Sequence, residues 1–317
     1  MTPRVAIVGA GRMGRERARA AKLLGARIQT ICDPDADRAA ALAAETGTGV
    51  LTDAASLDLG SLDAVFVCTP PAVRGQLELS AIRAGVALFI EKPIGLNAEQ
   101  CVPLLDALGG RTVINAVGYM NRYRESVLWA QQQVQNGSPI GASFQWFAAK
   151  YRVPWWLKRD QSGGPINEQC THYIDLCRFL LGEVSEVQAI GRMLTEAPTA
   201  EGTAAITLRF ENGLVGSGLY SCEAAQKQMA FEVFLPDRSV RLLGWDLRSD
   251  SQPAAEDIFV KETAAFFDAV RSGDPSTIHS DIPDACRTQC VVDTICRALK
   301  SRSTESVPAL HEALVYS

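Results

Sequence analysis

Glu168, His172 and Asp175 are spaced i, i+4 and i+7, so a helix running through them carries all three on one face. An imidazole titrates near neutrality and can take a hydroxyl proton and return it, as reversible oxidation of a secondary alcohol requires. Gly163-Gly164-Pro165 precedes the run, with Pro165 suited to the first helical position, and Gly182 suits its end. Ile174, Cys177 and Leu181 fall on the opposite side, giving an apolar back for burial and a titratable front for a cleft. Asp175 would orient the imidazole or bind nearby backbone, and Tyr173 is the reserve proton carrier on the same helix. A second candidate, Lys92, follows the apolar run Ala87–Ile90 in Glu91-Lys92-Pro93. The carboxyl end of a strand is where doubly wound sheets hold ligands, and an ammonium there would stabilise a developing alkoxide.

Hydride leaving a carbon needs an acceptor, and the N-terminus carries a pattern suited to one. Val5-Ala-Ile-Val-Gly9-Ala-Gly11-Arg12-Met13-Gly14 sets Gly-x-Gly-x-x-Gly between a strand and a helix. Gly9 permits the tight turn, Gly11 lets backbone approach a pyrophosphate, and Gly14 allows close helix–strand packing. The helix N-terminus adds free N–H groups and the positive end of the dipole. The next strand ends in Asp33, 19 positions beyond Gly14, where a ribose diol would lie. Asp33 and Asp35 oppose a 2′-phosphate and Arg38 is the first cation after them, so NAD is expected rather than NADP.

These residues need a scaffold. Arg4–Val8, Arg27–Cys32, Ala64–Cys68, Ala87–Ile90 and Val113–Ala116 read as short buried parallel strands. Helical stretches Gly14–Leu24, Ala36–Thr46, Val73–Ala84 and Ala98–Leu108 alternate with them. After Tyr119 the pattern changes to Gln145–Tyr151, Val187–Arg192, Ala204–Phe210, Leu214–Ser221, Ala230–Leu235 and Val240–Leu243, with turns such as Asn212-Gly213. Helices are expected at Glu125–Gln135, Pro165–Leu181, Glu256–Arg271 and Pro283–Ser301. The fold class is α/β: an N-terminal doubly wound domain (residues 1–118), then an α+β domain (119–317) with a large, mostly antiparallel open sheet. The helix at about 283–301 is expected to dock back on the first domain. Phe231, Val233 and Leu235 suggest apolar side chains on both sheet faces, and so a homodimer or homotetramer formed through that sheet.

Together with Cys68-Thr69-Pro70-Pro71, Glu91-Lys92-Pro93 and the segment Ser162–Asp175, the glycine cradle resembles the Gfo/Idh/MocA family over essentially the whole chain. The resemblance implies a Rossmann domain that binds NAD(P) and a sheet domain that supplies the substrate pocket and subunit contacts. It implies that Thr69 and Pro70 lie near the cofactor, that Glu91 sits by the nicotinamide ribose, and that Lys92 is catalytic. The family often has Asp four residues before the histidine; Glu168 stands there and reaches one methylene further. Family members place substrate contacts in the segment matching Tyr119–Tyr123, so Arg122 and Tyr123 are candidates for sugar hydroxyls. Trp155 and Trp156 offer faces for a sugar ring, or else fill a core.

With 317 residues, 47% hydrophobic and 21% charged, the composition is that of a globular protein of two domains. The net charge of −5 and the lack of a basic, aromatic-interleaved stripe argue against nucleic acid, and no apolar run approaches a membrane span. No signal-peptide pattern precedes Arg4–Val8, so a cytoplasmic location is expected. The nine cysteines include no Cys-x-x-Cys and read as buried free thiols; His172, His279 and His311 are too scattered for a metal site. The function expected is hydride transfer between nicotinamide and a sugar-like or polyol-like alcohol. Glycoside cleavage through transient redox is one alternative, and a dinucleotide-sensing regulator is another. A reductase of dicarboxylate imines is disfavoured, because no basic cluster is present.

Overall fold

The computed structural model describes residues 2–197, 199–249 and 257–310. The chain forms two compact units: the first comprises Met1–Gly95, Gln100–Met120 and Asp257–Ala285, the second Leu96–Glu99, Asn121–Glu256 and Cys286–Ser317.

In the first unit β1 (Arg4–Val8), β2 (Arg27–Cys32), β3 (Gly49–Leu51), β4 (Ala64–Val67), β5 (Ala87–Ile90) and β6 (Asn115–Val117) form one sheet in the order β3-β2-β1-β4-β5-β6. All neighbours run parallel. This is the doubly wound order, in which the strand sequence reverses between β1 and β4 and leaves a crevice at their carboxyl ends. Helices α1 (Arg12–Leu23), α2 (Ala36–Thr46), α3 (Gln76–Ala84) and α4 (Val102–Leu108) make the crossovers. The sequence reading missed β3, a three-residue edge strand that opens on glycine and leaves Val50 exposed.

The second unit contains α5 (Glu125–Gln135), β7 (Gly141–Ala149), α6 (Arg159–Ser162), α7 (Thr171–Leu181), β8 (Val184–Met193), β9 (Glu201–Phe210), β10 (Val215–Ser221), β11 (Glu223–Phe234) and β12 (Ser239–Leu243). Next comes α8 (Ile258–Ser272), followed by α9 (Ile282–Ser301) and β13 (Glu305–Ser306). The sheet order is β12-β11-β7-β10-β9-β8-β13, antiparallel throughout except between β7 and β10. One face packs on α5, α7 and α9 through Val127, Ile174, Val291 and the strand residues Phe144, Ile206 and Phe231.

Three expectations change. Helix α8 belongs to the first unit, because Phe266 and Phe267 pack edge-on against Phe66 at 5.5 and 5.8 Å. Helix α9 contributes only its first residues to the first unit, and the rest lies in the second. Phe231, Val233 and Leu235 are buried and do not reach the open face of the sheet. That face instead carries a row in register across six strands: Leu243, Ala230, Gln145, Leu219, Ala205 and Ile190. All nine cysteines are free thiols. Among the described residues no helix is long and apolar enough to cross a membrane.

Candidate functional site

At the end of β1, Gly9 has φ +97° and its N–H donates to Cys32 O at 2.7 Å. A Cβ at Gly9 would lie 2.7 Å from Cys68 C, and one at Gly14 only 1.8 Å from Gly9 O. A Cβ at Gly11 would meet no atom within 4 Å, so the cradle is closed by its own chain on two sides and open on the third. The first intrahelical bond of α1 runs from Arg15 N to Gly11 O at 3.0 Å, so the N–H groups of Arg12, Met13 and Gly14 precede the helical ladder. Asp33 is buried; its Oδ2 accepts from Ala10 N at 2.7 Å and its Oδ1 from Asp35 N at 3.0 Å, which ties the acid to the cradle.

Thr69 continues from β4, and its buried Oγ1 has no hydrogen-bond partner among the described residues, as suits a hydroxyl reserved for a ligand. Pro70 follows it, half-buried. The open Gly11, the orphaned hydroxyl and the tethered acid all fit a dinucleotide: backbone N–H groups for pyrophosphate, a carboxylate for a ribose diol.

Lys92 is half-buried at the end of β5, and its bond to Pro93 is cis. Arg74, which carried no motif, holds this region. Its guanidinium donates to Thr69 O at 3.1 Å and to the carbonyls of Glu91 and Pro93. One side chain therefore bridges the loops that follow β4 and β5. Glu91, expected beside the nicotinamide ribose, accepts from Arg17 Nε at 2.7 Å inside the fold. Arg17 is fully buried, lies over the Phe89 ring at 4.2 Å and also donates to Glu262 and Thr263 of α8. Burial alone would lower the Arg17 pKa, but Glu262 and Glu91 more than compensate and raise it. A charge this deep needs both carboxylates, so Glu91 serves the packing of α1 and α8 onto the sheet.

In the second unit the expected helix is two elements: residues Ile166–Cys170 form a π-helical turn that leads into α7. Such turns concentrate at functional sites because they re-aim the side chains beside them. Asn167 causes much of the close packing here. Its Nδ2 donates to Ser162 O, its Oδ1 accepts from Gln289, and a Cβ at Gly163 would fall 2.4 Å from that Nδ2.

Glu168, His172 and Asp175 are all buried, and so is every residue of α7 except Phe179. The polar-front, apolar-back reading of this helix is therefore corrected: it is enclosed on all sides. Tyr173 donates to Ala230 O at 2.8 Å, Gln169 to Ala149 O at 3.1 Å, and Arg178 to Thr288 at 2.6 Å. His172 stacks on Trp146 of β7, with ring centroids 5.6 Å apart and planes 10° from parallel. Trp146 itself had been missed, since Phe144, Trp146 and Ala148 alternate inward as any core-facing strand does.

The carboxylate expected to orient the imidazole is engaged elsewhere. Asp175 accepts from Arg122 Nη2 at 2.6 Å and Nε at 3.0 Å, and from Thr288 at 3.4 Å. Arg122, offered as a substrate contact, is thus a buried ion-pair partner lying over Phe179. Tyr123 is buried as well. Trp156 is fully buried against Tyr151 and belongs to the core, whereas Trp155 is only partly buried. Tyr173 is unsuited to proton transfer, because burial raises its pKa well above the usual phenol value.

Residues 3–119 match the family model described as an oxidoreductase family with an NAD-binding Rossmann fold. Residues 139–241 match the GFO/IDH/MocA C-terminal domain. The chain belongs to the Gfo/Idh/MocA family. Inositol 2-dehydrogenase 2 of Saccharopolyspora erythraea is 29% identical over 224 residues, which are 68% of this chain and 65% of that one. The scyllo-inositol 2-dehydrogenase (NAD(+)) of Bacillus subtilis is 29% identical over 198 residues, 60% of this chain and 58% of that one. The chain thus spans less than two thirds of the length of these curated relatives. A solved structure of levoglucosan dehydrogenase in complex with NADH shares the fold, with a TM-score of 0.87 at 18% identity, covering 97% of this chain and 100% of that one.

Proposed function

We propose that this protein is an NAD-dependent dehydrogenase acting on a secondary alcohol, or the matching ketone, of a sugar, polyol or inositol-like substrate. The observation that carries the reading is the cradle, open only at Gly11 and tied through Ala10 to Asp33. The N–H groups of Arg12, Met13 and Gly14 bind the pyrophosphate, Asp33 takes the ribose hydroxyls, and Thr69 and Pro70 line the cofactor's flank. When bound, NAD supplies the hydride acceptor. His172, which lies on α7, takes the hydroxyl proton. Trp146 fixes the ring plane by stacking. Lys92 offers its ammonium to the alcohol oxygen as negative charge develops there. Glu168, one turn before His172, binds a substrate hydroxyl or hands on the proton. The names of the relatives, inositol and levoglucosan dehydrogenases, support the polyol class.

The protein is proposed to act in the cytoplasm as a homodimer or homotetramer. The row from Leu243 to Ile190 supports the assembly: Ile190 is 73% exposed, and Leu243 and Leu219 are 46% and 40% exposed. The test is a panel of inositols, aldoses, levoglucosan and aryl glycosides with NAD, following reduced nicotinamide alongside glycoside cleavage. Reduced cofactor with at least one polyol is expected. Cleavage without net reduction would replace this reading with glycoside lysis, and a chain that binds NAD but turns over nothing would replace it with a sensor.

A further inference from the structure

We propose that Asp35 sets the dinucleotide preference of this chain by holding Arg38, the cation nearest the Asp33 carboxylate, in a pair that denies it to a 2′-phosphate. This inference rests on the reading of the first unit as a dinucleotide site. Asp35 is the N-cap of α2 and uses its two oxygens differently. Oδ1 accepts from Arg38 N at 3.0 Å and caps the helix, while Oδ2 accepts from Arg38 Nη2 at 2.7 Å. The same residue thus receives both the backbone and the side-chain donor of Arg38. The other guanidinium nitrogen, Nη1, lies 3.9 Å from Asp33 Oδ2. Asp33 is itself fixed by the N–H groups of Ala10 and Asp35, so the guanidinium is the movable member of the group.

Two carboxylates and one guanidinium leave a net charge of −1 beside the ribose position, with the cation committed. A 2′-phosphate arriving there meets Asp33 and finds Arg38 already paired. Asn is as good an N-cap as Asp, so Asp35→Asn keeps the capping oxygen and removes the charge that binds the guanidinium. Arg38 then either faces the phosphate or moves onto Asp33, and both outcomes weaken the repulsion of NADP.

The experiment is calorimetric titration of NAD and NADP into the full-length protein, D35N and D35N/R38A. The ratio of NADP to NAD affinity is expected to rise about two- to fivefold in D35N, the worth of a half-exposed ion pair. It is expected to return most of the way in D35N/R38A. A ratio unchanged in D35N, or a gain that survives removal of Arg38, overturns the inference while leaving NAD binding intact. Failure of the unsubstituted protein to bind either dinucleotide overturns the reading beneath it.

Discussion

The two candidate sites, one in each unit, are made from different material. In the first unit the candidate groups are main-chain N–H groups around three glycines, and side chains such as Arg17 and Arg74 form ion pairs and hydrogen bonds nearby. In the second unit the candidate groups are side chains, and they are enclosed: Glu168, His172, Asp175 and Arg122 are each at most 5% exposed. A backbone site tolerates change in side chains but not in shape. A buried side-chain site depends on every neighbour that pairs or stacks with it, since an unpaired buried charge is strongly unfavourable.

The largest effect expected is at Gly14. A Cβ there would sit 1.8 Å from Gly9 O, so Gly14→Ala should lower the stability of the first unit by about 4 kcal/mol or more, read by urea unfolding. Gly11→Ala is the partner experiment. With no atom within 4 Å it should unfold as before, yet bind NAD roughly 10–100-fold more weakly. Equal loss of stability in both variants would erase the distinction between shape that builds the fold and shape that receives the ligand.

His172→Ala breaks the comparison from the other side. Turnover should fall roughly 10²–10⁴-fold, with NAD affinity nearly unchanged, because the cradle lies in the other unit. Glu168→Gln sharpens it: a small loss marks Glu168 as a hydroxyl ligand, a loss as large as that of His172→Ala places it on the proton path. Near-normal turnover in His172→Ala would remove the imidazole from the chemistry, and Tyr173, tied to Ala230, offers no replacement.

Arg17→Ala tests whether buried charge matters only in the second unit. It leaves Glu91 and Glu262 buried opposite each other, so a loss of about 3–5 kcal/mol is expected in chemical denaturation. A loss below about 1 kcal/mol would show that these carboxylates are relieved by protonation or water.

The smallest effect concerns Asp293 on α9. Its Oδ2 accepts from Ala98 N at 2.6 Å and its Oδ1 from Gln289 at 3.0 Å, yet burial still pushes its pKa up to about 6. The folded state therefore favours the protonated form. The stability it contributes is complete below the ordinary carboxylate value of 3.8 and is lost as pH rises through about 6. Asp293→Asn should remove this slope: thermal midpoints of variant and parent should converge near the acid end and separate in the variant's favour at neutral pH. A parent profile with no such slope would place the proton elsewhere.

Much of this molecule is written locally. The strands at Arg4–Val8, Arg27–Cys32 and Ala87–Ile90 and the helices at Ala36–Thr46 and Glu125–Gln135 lie where the periodicity of the chain puts them. The cradle and Asp33 are legible for the same reason: a turn that needs glycine, followed by a helix start, is decided by neighbours in sequence. What the tertiary structure alone decided lies in pairs far apart along the chain. Arg122 and Asp175 are 53 residues apart, and Arg17 and Glu262 are 245 apart. The sequence around an arginine carries no mark of which distant carboxylate will neutralise it. Likewise, a period of two sets Phe231 and Val233 on one side of a strand without saying which side the helices cover. The enclosure of α7, the core role of Trp156 and the place of α8 in the first unit follow the same rule. Each depends on which surfaces meet once the chain has closed, and that is settled by packing and charge pairing across long separations, not by the residues nearby.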